Sequence, residues 1–287
     1  MREWQQKYAP LGLAIVGVHA PEFTFARNYE EVARAIAEFQ IPYPVVVDND
    51  FAIWQAYSNR YWPAHYLIDA KGLIRYYHFG EGAYGEAEEA IHNLLLEANP
   101  SLALPPIMDP VRERDAQGAY CYAVTPELYM GYTRGRVGNP GGFTPSRYHK
   151  YRDMGKHAEG YFYLEGEWIV GEEHTEFAGI RGLPGSLTIR FTSKEVNLVL
   201  NPSREAGKVT LYLDSAPIAP ENAGADVLTD GDGQSYILVD RPRMYRLLNL
   251  KEFGQGELTI TTGVPGMGLY AFTFVSCVAN PESSKEE

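Results

Sequence analysis

The stretch Tyr61–Trp62–Pro63–Ala64–His65–Tyr66–Leu67–Ile68–Asp69–Ala70–Lys71–Gly72 decides the reading of the first hundred residues. Residues 64–68 and 73–79 read as two strands. Asp69–Ala70–Lys71–Gly72 joins them as a tight turn with Gly where a positive φ is wanted. Outward from this hairpin, residues 84–97 form a closing helical pattern with Ala87, Ile91, Leu94 and Leu95 facing inward. Upstream, YPVVVD (43–48) reads as a buried strand and residues 51–57 as a short helix. Residues 28–39 are an amphipathic helix: Asn28 suits the N-cap, Glu30 and Glu31 complement the helix dipole, and Val32, Ile36 and Phe39 share a face. The run LAIVGV (13–18) is the signature of a strand covered on both faces. Residues 2–8 read as the tail of a helix ended by Pro10 and Gly12. The order is helix end, β, α, β, α, β, β, α, a small α/β sheet with a final antiparallel hairpin.

Beyond it, NPSLALPPIMDPVRERDAQGA (98–118) carries Pro100, Pro105, Pro106 and Pro110 and reads as a stiff linker. From residue 120 to 280 the texture changes to short alternating segments between Gly and Pro turns: 186–191, 195–200, 208–213, 234–239, 257–261 and 269–275. One brief helical pattern, 242–247, interrupts them. Regularly spaced short strands of this kind indicate an antiparallel sandwich or jelly roll. The expected organisation is an α/β domain over 1–99, a Pro-rich linker over 100–118, an all-β domain over 119–280 and a polar tail over 281–287.

Composition narrows function. The chain has 287 residues with 25 Lys and Arg against 37 Asp and Glu, a formal net charge of −12. That argues against a nucleic-acid partner, whose phosphates are met by clustered Lys and Arg. No apolar run is long enough to span a membrane, and MREWQQKYAPLG lacks the apolar core of a signal peptide. Two cysteines, Cys121 and Cys277, make neither a disulfide framework nor a zinc site.

The quoted stretch resembles the thioredoxin-fold segment that contains the cis-proline: an aromatic residue before Pro63, a strand ending in Asp69, a Gly turn and a second strand. Upstream, Gly17–Val18–His19–Ala20–Pro21–Glu22–Phe23 is similar to the strand-end loop of TlpA- and DipZ-type proteins. In the second half, Thr125–Pro126–Glu127–Leu128–Tyr129–Met130–Gly131–Tyr132, Leu164–Glu165–Gly166–Glu167–Trp168 and Tyr270–Ala271–Phe272–Thr273–Phe274 resemble the C-terminal region of DipZ-type proteins. The resemblance implies a thioredoxin-like (redoxin) domain followed by a galactose-binding-like β-sandwich similar to carbohydrate-binding modules. It implies thiol–disulfide exchange of the redox-homeostasis or cytochrome c biogenesis type, outside the cytoplasm, in the periplasm or at the cell surface. Protein thiols and disulfides are then the partners, carbohydrate is a further candidate ligand, and no cofactor or metal is called for.

That chemistry needs a Cys-x-x-Cys at a helix N-terminus, where the dipole lowers the first thiol's pKa. The sequence has none. In the family the motif sits after the first strand, at the start of the helix whose tail is residues 2–8, so the domain reads as N-terminally truncated, missing its first strand and thiol pair. A fragment of a longer protein is the expectation; a natural variant that kept the scaffold without the redox centre is the alternative. Truncation also leaves a sheet edge that invites pairing with another chain.

No catalytic residue is therefore assigned. By the resemblance Pro63 is cis and, with Trp62, His19 and Glu22, borders the place where a substrate polypeptide docks; a trans turn proline is the plain alternative. Glu22 is placed to assist proton movement, or is a solvated loop carboxylate. Cys121 and Cys277 read as structural thiols, with a disulfide between the ends of the sandwich as the rival. His19, His65 and His78 read as hydrogen-bonded structural residues, since no His/Cys/Asp cluster has ligand spacing. Asp230–Gly231–Asp232–Gly233–Gln234 is a β-turn or a calcium loop, although Arg241 stands where an EF-hand needs Glu. Candidate ligand contacts of the sandwich are Tyr148, Tyr151, Arg152 and Trp168; Trp168, inside a strand pattern, equally suits the core.

Overall fold

Asn28 Oδ1 accepts the Glu30 N–H at 2.9 Å, and this cap opens an amphipathic helix that buries Val32. In the computed structural model, which describes residues 1–110, 112, 115 and 120–278, the helix belongs to a unit built on Met1–Tyr120; a second unit is built on Cys121–Cys277. The tail 281–287 lies outside the described residues.

The first unit runs α1 (Arg2–Tyr8), β1 (Gly17–His19), α2 (Tyr29–Glu38), β2 (Val45–Val47), α3 (Ala52–Ala56), β3 (Ala64–Ile68), β4 (Ile74–Phe79) and α4 (Tyr84–Ala98). Strands β1 and β2 pair in parallel, from Gly17↔Val45 to His19↔Val47. Strands β3 and β4 pair antiparallel, with His65 opposite His78. The two ladders are separate sheets among the described residues. This corrects one expectation. Residues 13–18 and 43–48 are not strands covered on both faces: Ile15 is buried, but Val16, Val18 and Val46 are exposed. With a single ladder partner, each strand is three residues long and keeps an open face.

The core of this unit is Trp4 and Tyr8 from α1, Ile15, and Ala87, Ile91 and Leu95 from α4. Leu102, Leu104 and Met108 pack against it. Part of the Pro-rich stretch thus lies along the first unit as covering apolar surface, which a free spacer would leave in water.

Further along the chain come β5 (Tyr120–Cys121), β6 (Leu128–Tyr129), β7 (Tyr148–Tyr151), β8 (Phe162–Val170), β9 (Thr175–Phe177), β10 (Gly185–Asn201), β11 (Gly207–Leu213), β12 (Ala216–Pro217), β13 (Leu228–Thr229), β14 (Ser235–Val239), β15 (Arg243–Thr262), β16 (Gly268–Val275) and β17 (Cys277–Val278). Strands β5 and β17 form a ladder of their own. The other eleven make one hydrogen-bonded sheet along the path β13-β14-β11-β15-β10-β16-β9-β8-β7, with β12 on β11 and β6 on β16. Two long strands hold it together. Strand β10 pairs with β8 and β15 over its first half and with β16 and β15 over its second, with register shifts near Ser193 and Val196. Such bulges bend a strand without ending it, so segments 186–191 and 195–200 are one element. Segment 242–247 is the start of β15 and not a helix. Tyr245 and Leu247 are both buried there, and its inward ring is what a strand, not a surface helix, delivers. Phe162, Trp168, Phe177, Phe191, Tyr245 and Phe272 fill the core.

Candidate functional site

The Trp62–Pro63 peptide bond is cis, and the residues around it are fixed by a chain of backbone and side-chain bonds. Asp48, buried just past β2, receives the Ile53 and Trp54 amides at 3.0 and 2.8 Å and so caps α3. Its own amide donates to His19 O at 2.8 Å, which ties α3 to the end of β1. Trp54, placed by that cap, meets Trp62 with ring centroids 4.2 Å apart. The Trp62 indole N–H donates to Ala20 O at 3.0 Å, and Gly80 N donates to Pro63 O at 2.8 Å. Trp62 is therefore locked on two sides yet 44% exposed. Loop 19–22 and the Trp62–Pro63 lip stand together. His19 Nε2 is 2.8 Å from Ala26 O, so this imidazole holds its own loop rather than facing the lip.

Helix α1 brings Trp4 against His65, two residues past Pro63, at 6.3 Å in an edge-on contact. Burial, then the neighbouring His78, pushes the His65 pKa down. Beneath lies a carboxylate the sequence did not mark. Glu88, buried on α4, receives Trp4 Nε1 at 3.2 Å, Lys7 Nζ at 2.9 Å, the Tyr8 hydroxyl, and the Met108 amide at 3.2 Å. Burial alone would raise its pKa; the bonds from Tyr8 and Lys7 outweigh that and lower it. Burial and the same Tyr8–Glu88 bond push the Tyr8 phenol well above its ordinary value.

In the second unit the four candidate contacts separate. Trp168 is buried, with its indole N–H on Glu165 O at 2.9 Å and Phe177 edge-on at 5.2 Å. Tyr151 is buried too, its hydroxyl accepting the Thr144 amide. Neither offers a face to a ligand: both fall on inward positions of pleated strands. Tyr148 and Arg152 are exposed on and beside β7, the last strand of the sheet path, and a hydrogen bond to Glu167 raises the Tyr148 pKa. The Asp230 loop is a turn: Asp230 accepts the Asp232 and Gln234 amides and the Lys208 ammonium. Among the described residues no group of three His, Cys, Asp or Glu gathers to hold a metal. The side chains of Cys121 and Cys277 lie outside the described residues.

Sequence reading also missed His157. Its Nδ1 lies 2.7 Å from Glu257 and its Nε2 2.8 Å from Asp153, with Tyr163 against the ring at 4.6 Å. Burial alone would lower its pKa, but the two carboxylates raise it. A raised folded-state pKa means the clamp contributes fully below the unfolded value of about 6.5 and is lost as pH rises through the folded value. Thermal unfolding of the second unit should therefore come earlier at mildly alkaline pH than at pH ~6. His157→Gln should cost roughly 1.5–3 kcal/mol at pH ~6 and flatten that slope, since it removes charge-assisted bonds. An unchanged slope in the variant would assign the dependence elsewhere.

A family model described as thioredoxin-like C-terminal domain matches residues 125–274. Protein DipZ of Mycobacterium bovis is 34% identical over 226 residues, 75% of this chain and 30% of that protein. Thiol-disulfide oxidoreductase YkuV of Bacillus subtilis is 30% identical over 97 residues, 34% of this chain and 65% of that protein. The solution structure of a thioredoxin-like protein in its oxidised form shares 30% identity over 33% of this chain and 64% of that one, with a TM-score of 0.31. The chain thus spans about a third of the length of the mycobacterial relative.

Proposed function

The chain belongs to the thioredoxin-like C-terminal domain family, and from that premise we propose that it is the body of a thiol–disulfide oxidoreductase whose redox-active cysteine pair is supplied from outside these 287 residues. The observation that carries the reading is Trp62, pinned by Ala20 and Trp54 but open to solvent beside the Pro63 backbone. A rigid exposed aromatic next to a backbone turn is a docking lip for an extended polypeptide. The likeness to the thiol-disulfide oxidoreductase YkuV supports exchange with protein thiols. In that exchange a thiolate attacks the substrate disulfide and displaces one substrate thiol; a second thiol then resolves the mixed disulfide and releases the other. Two thiols are oxidised as one substrate disulfide is reduced.

This reading places the protein outside the cytoplasm, where protein disulfides persist. The separate β1–β2 and β3–β4 ladders are consistent with a further strand contributed by the segment that carries the thiols. We read the second unit as a galactose-binding-like sandwich that binds protein or carbohydrate. A sugar platform keeps only Tyr148 and Arg152 of its four candidates on the surface.

Insulin reduction tests the proposal. The chain as given should show no turnover, because neither Cys121 nor Cys277 stands in a Cys-x-x-Cys. The protein extended by its in-frame upstream sequence should turn over, and Trp62→Ala in that protein should lower kcat/KM by about tenfold, the loss of one good aromatic contact. Turnover by the unextended chain, or an upstream sequence without a cysteine pair, rules the proposal out and leaves the redox-inactive scaffold.

A further inference from the structure

Two of the seven histidines stand apart from the others. His65 and His78 face each other across the β3–β4 ladder, with ring centroids 6.4 Å apart and planes tilted by 39°. His65 Nδ1 and His78 Nε2 are buried, and neither has a hydrogen-bond partner. The remaining described histidines differ. His19 engages Ala26 O, His92 the Tyr8 hydroxyl and His157 two carboxylates. His174 stacks on Tyr270, and His149 lies on the exposed edge strand β7.

Buried polar atoms are almost always satisfied, so a pair of orphaned ring nitrogens on directly opposed residues calls for a shared ligand. Each neutral imidazole has one N–H and one lone pair. A divalent ion of borderline softness accepts lone pairs from two imidazoles at once. Two Zn–N bonds of about 2.0–2.1 Å, carried on to the ring centres, span about 5 Å at the tetrahedral angle, so the rings, 6.4 Å apart in the structure, close by roughly 1 Å to hold one. Cross-strand neighbours are also the closest side-chain pairs a sheet provides. Around the pair, Trp4 stands edge-on to His65 at 6.3 Å and Tyr84 at 6.0 Å, rings that fix the orientation of the His65 imidazole. Glu81, held by Tyr84 and Arg112 on the approach to α4, supplies nearby negative charge.

We propose that His65 and His78 form a two-imidazole site for one Zn²⁺ ion, with water completing its coordination. Having two protein ligands, it binds more weakly than a four-ligand structural site. The site is independent of any cysteine pair.

The test is titration of the full chain, cleared of metal with a chelator, with ZnCl₂ at pH ~7.5, where imidazoles are unprotonated. One ion per chain is expected, with the ring Cε1–H NMR signals of His65 and His78 shifting together. His65→Phe and His78→Phe should each weaken binding about tenfold or more, the scale on which site mutations act. His149→Phe should bind as the parent does. The NMR readout on the parent chain needs no variant, so a poorly folded substitution does not spare the proposal. Absence of saturable uptake up to about millimolar Zn²⁺ overturns it. So does uptake that leaves both histidine signals unmoved.

Discussion

Glu88→Ala should lower the stability of the first unit by about 3–5 kcal/mol, the cost of breaking a buried, hydrogen-bonded charge from one side. Four donors converge on this carboxylate: the Trp4 indole, the Lys7 ammonium, the Tyr8 hydroxyl and the Met108 amide. Trp4 and Tyr8 are buried in the unit's core, so their freed donors cannot turn to water without opening it. A domain holds only about 5–15 kcal/mol in total, so the loss is a large fraction of it. Glu88→Gln keeps the volume and one acceptor and should cost less. Because the Glu88 pKa is lowered in the fold, its contribution is present above the unfolded value of about 4.3 and disappears as pH falls through the folded one. Calorimetry of parent and variant at pH ~7 and ~3 resolves this: the difference in the first transition should shrink in acid. A deficit under about 1 kcal/mol at neutral pH would mean that the three bonds from Trp4, Lys7 and Tyr8 are not what holds α1 to α4.

Why this network escaped sequence reading while the surrounding helix did not is instructive. Ala87, Ile91 and Leu95 recur at helical spacing and are buried together, so α4 and its inner stripe were legible. Glu88 flanks that stripe by one position, among Glu86 and Glu89, and nothing local distinguishes it. Its side-chain partners in α1 are about eighty residues away. The His157 clamp is equally non-local, joining Asp153 to Glu257. The hairpin 64–79 and the Asn28 cap were readable because their determinants are neighbours in sequence. The open faces of β1 and β2 were not, since an apolar run records what a strand is built to cover and not what covers it. Tyr245 makes the same point in the second unit. A short pattern beginning at Pro242 resembles a helix start, but the Tyr245 hydroxyl bonds Asp240 N and Arg241 O, and only the long pairing with β10 makes the segment a strand.

Gly131→Ala should prevent the second unit from folding normally, although Gly131 has no left-handed φ to protect. The reason is space. A Cβ built there would sit 2.1 Å from Glu172 O and 2.5 Å from the carbonyl carbons of Glu172 and Glu173. These are backbone atoms, so no rotamer change relieves the clash. The opposing turn cannot retreat cheaply either. Tyr132 N donates to Gly171 O at 2.9 Å, the Thr133 hydroxyl to Glu172 O at 2.6 Å, and Gly171 N to His174 O at 2.8 Å. The Thr175 hydroxyl donates to Met130 O from the other side. Moving the turn by about an ångström gives up several of these bonds together, at about 1 kcal/mol each, on top of the overpacking itself. The expected loss is about 3 kcal/mol or more, seen as an early second transition or as little soluble protein. Gly85→Ala is the matched control: it lies in α4 with nothing within 4 Å of the added carbon, and helical Ala is favoured over Gly by roughly 0.5–1 kcal/mol. If Gly131→Ala melts within about 1 kcal/mol of the parent, the close approach of residues 131 and 172 is not a constraint on the fold. The Leu128–Tyr129–Met130–Gly131–Tyr132 motif would then need another explanation.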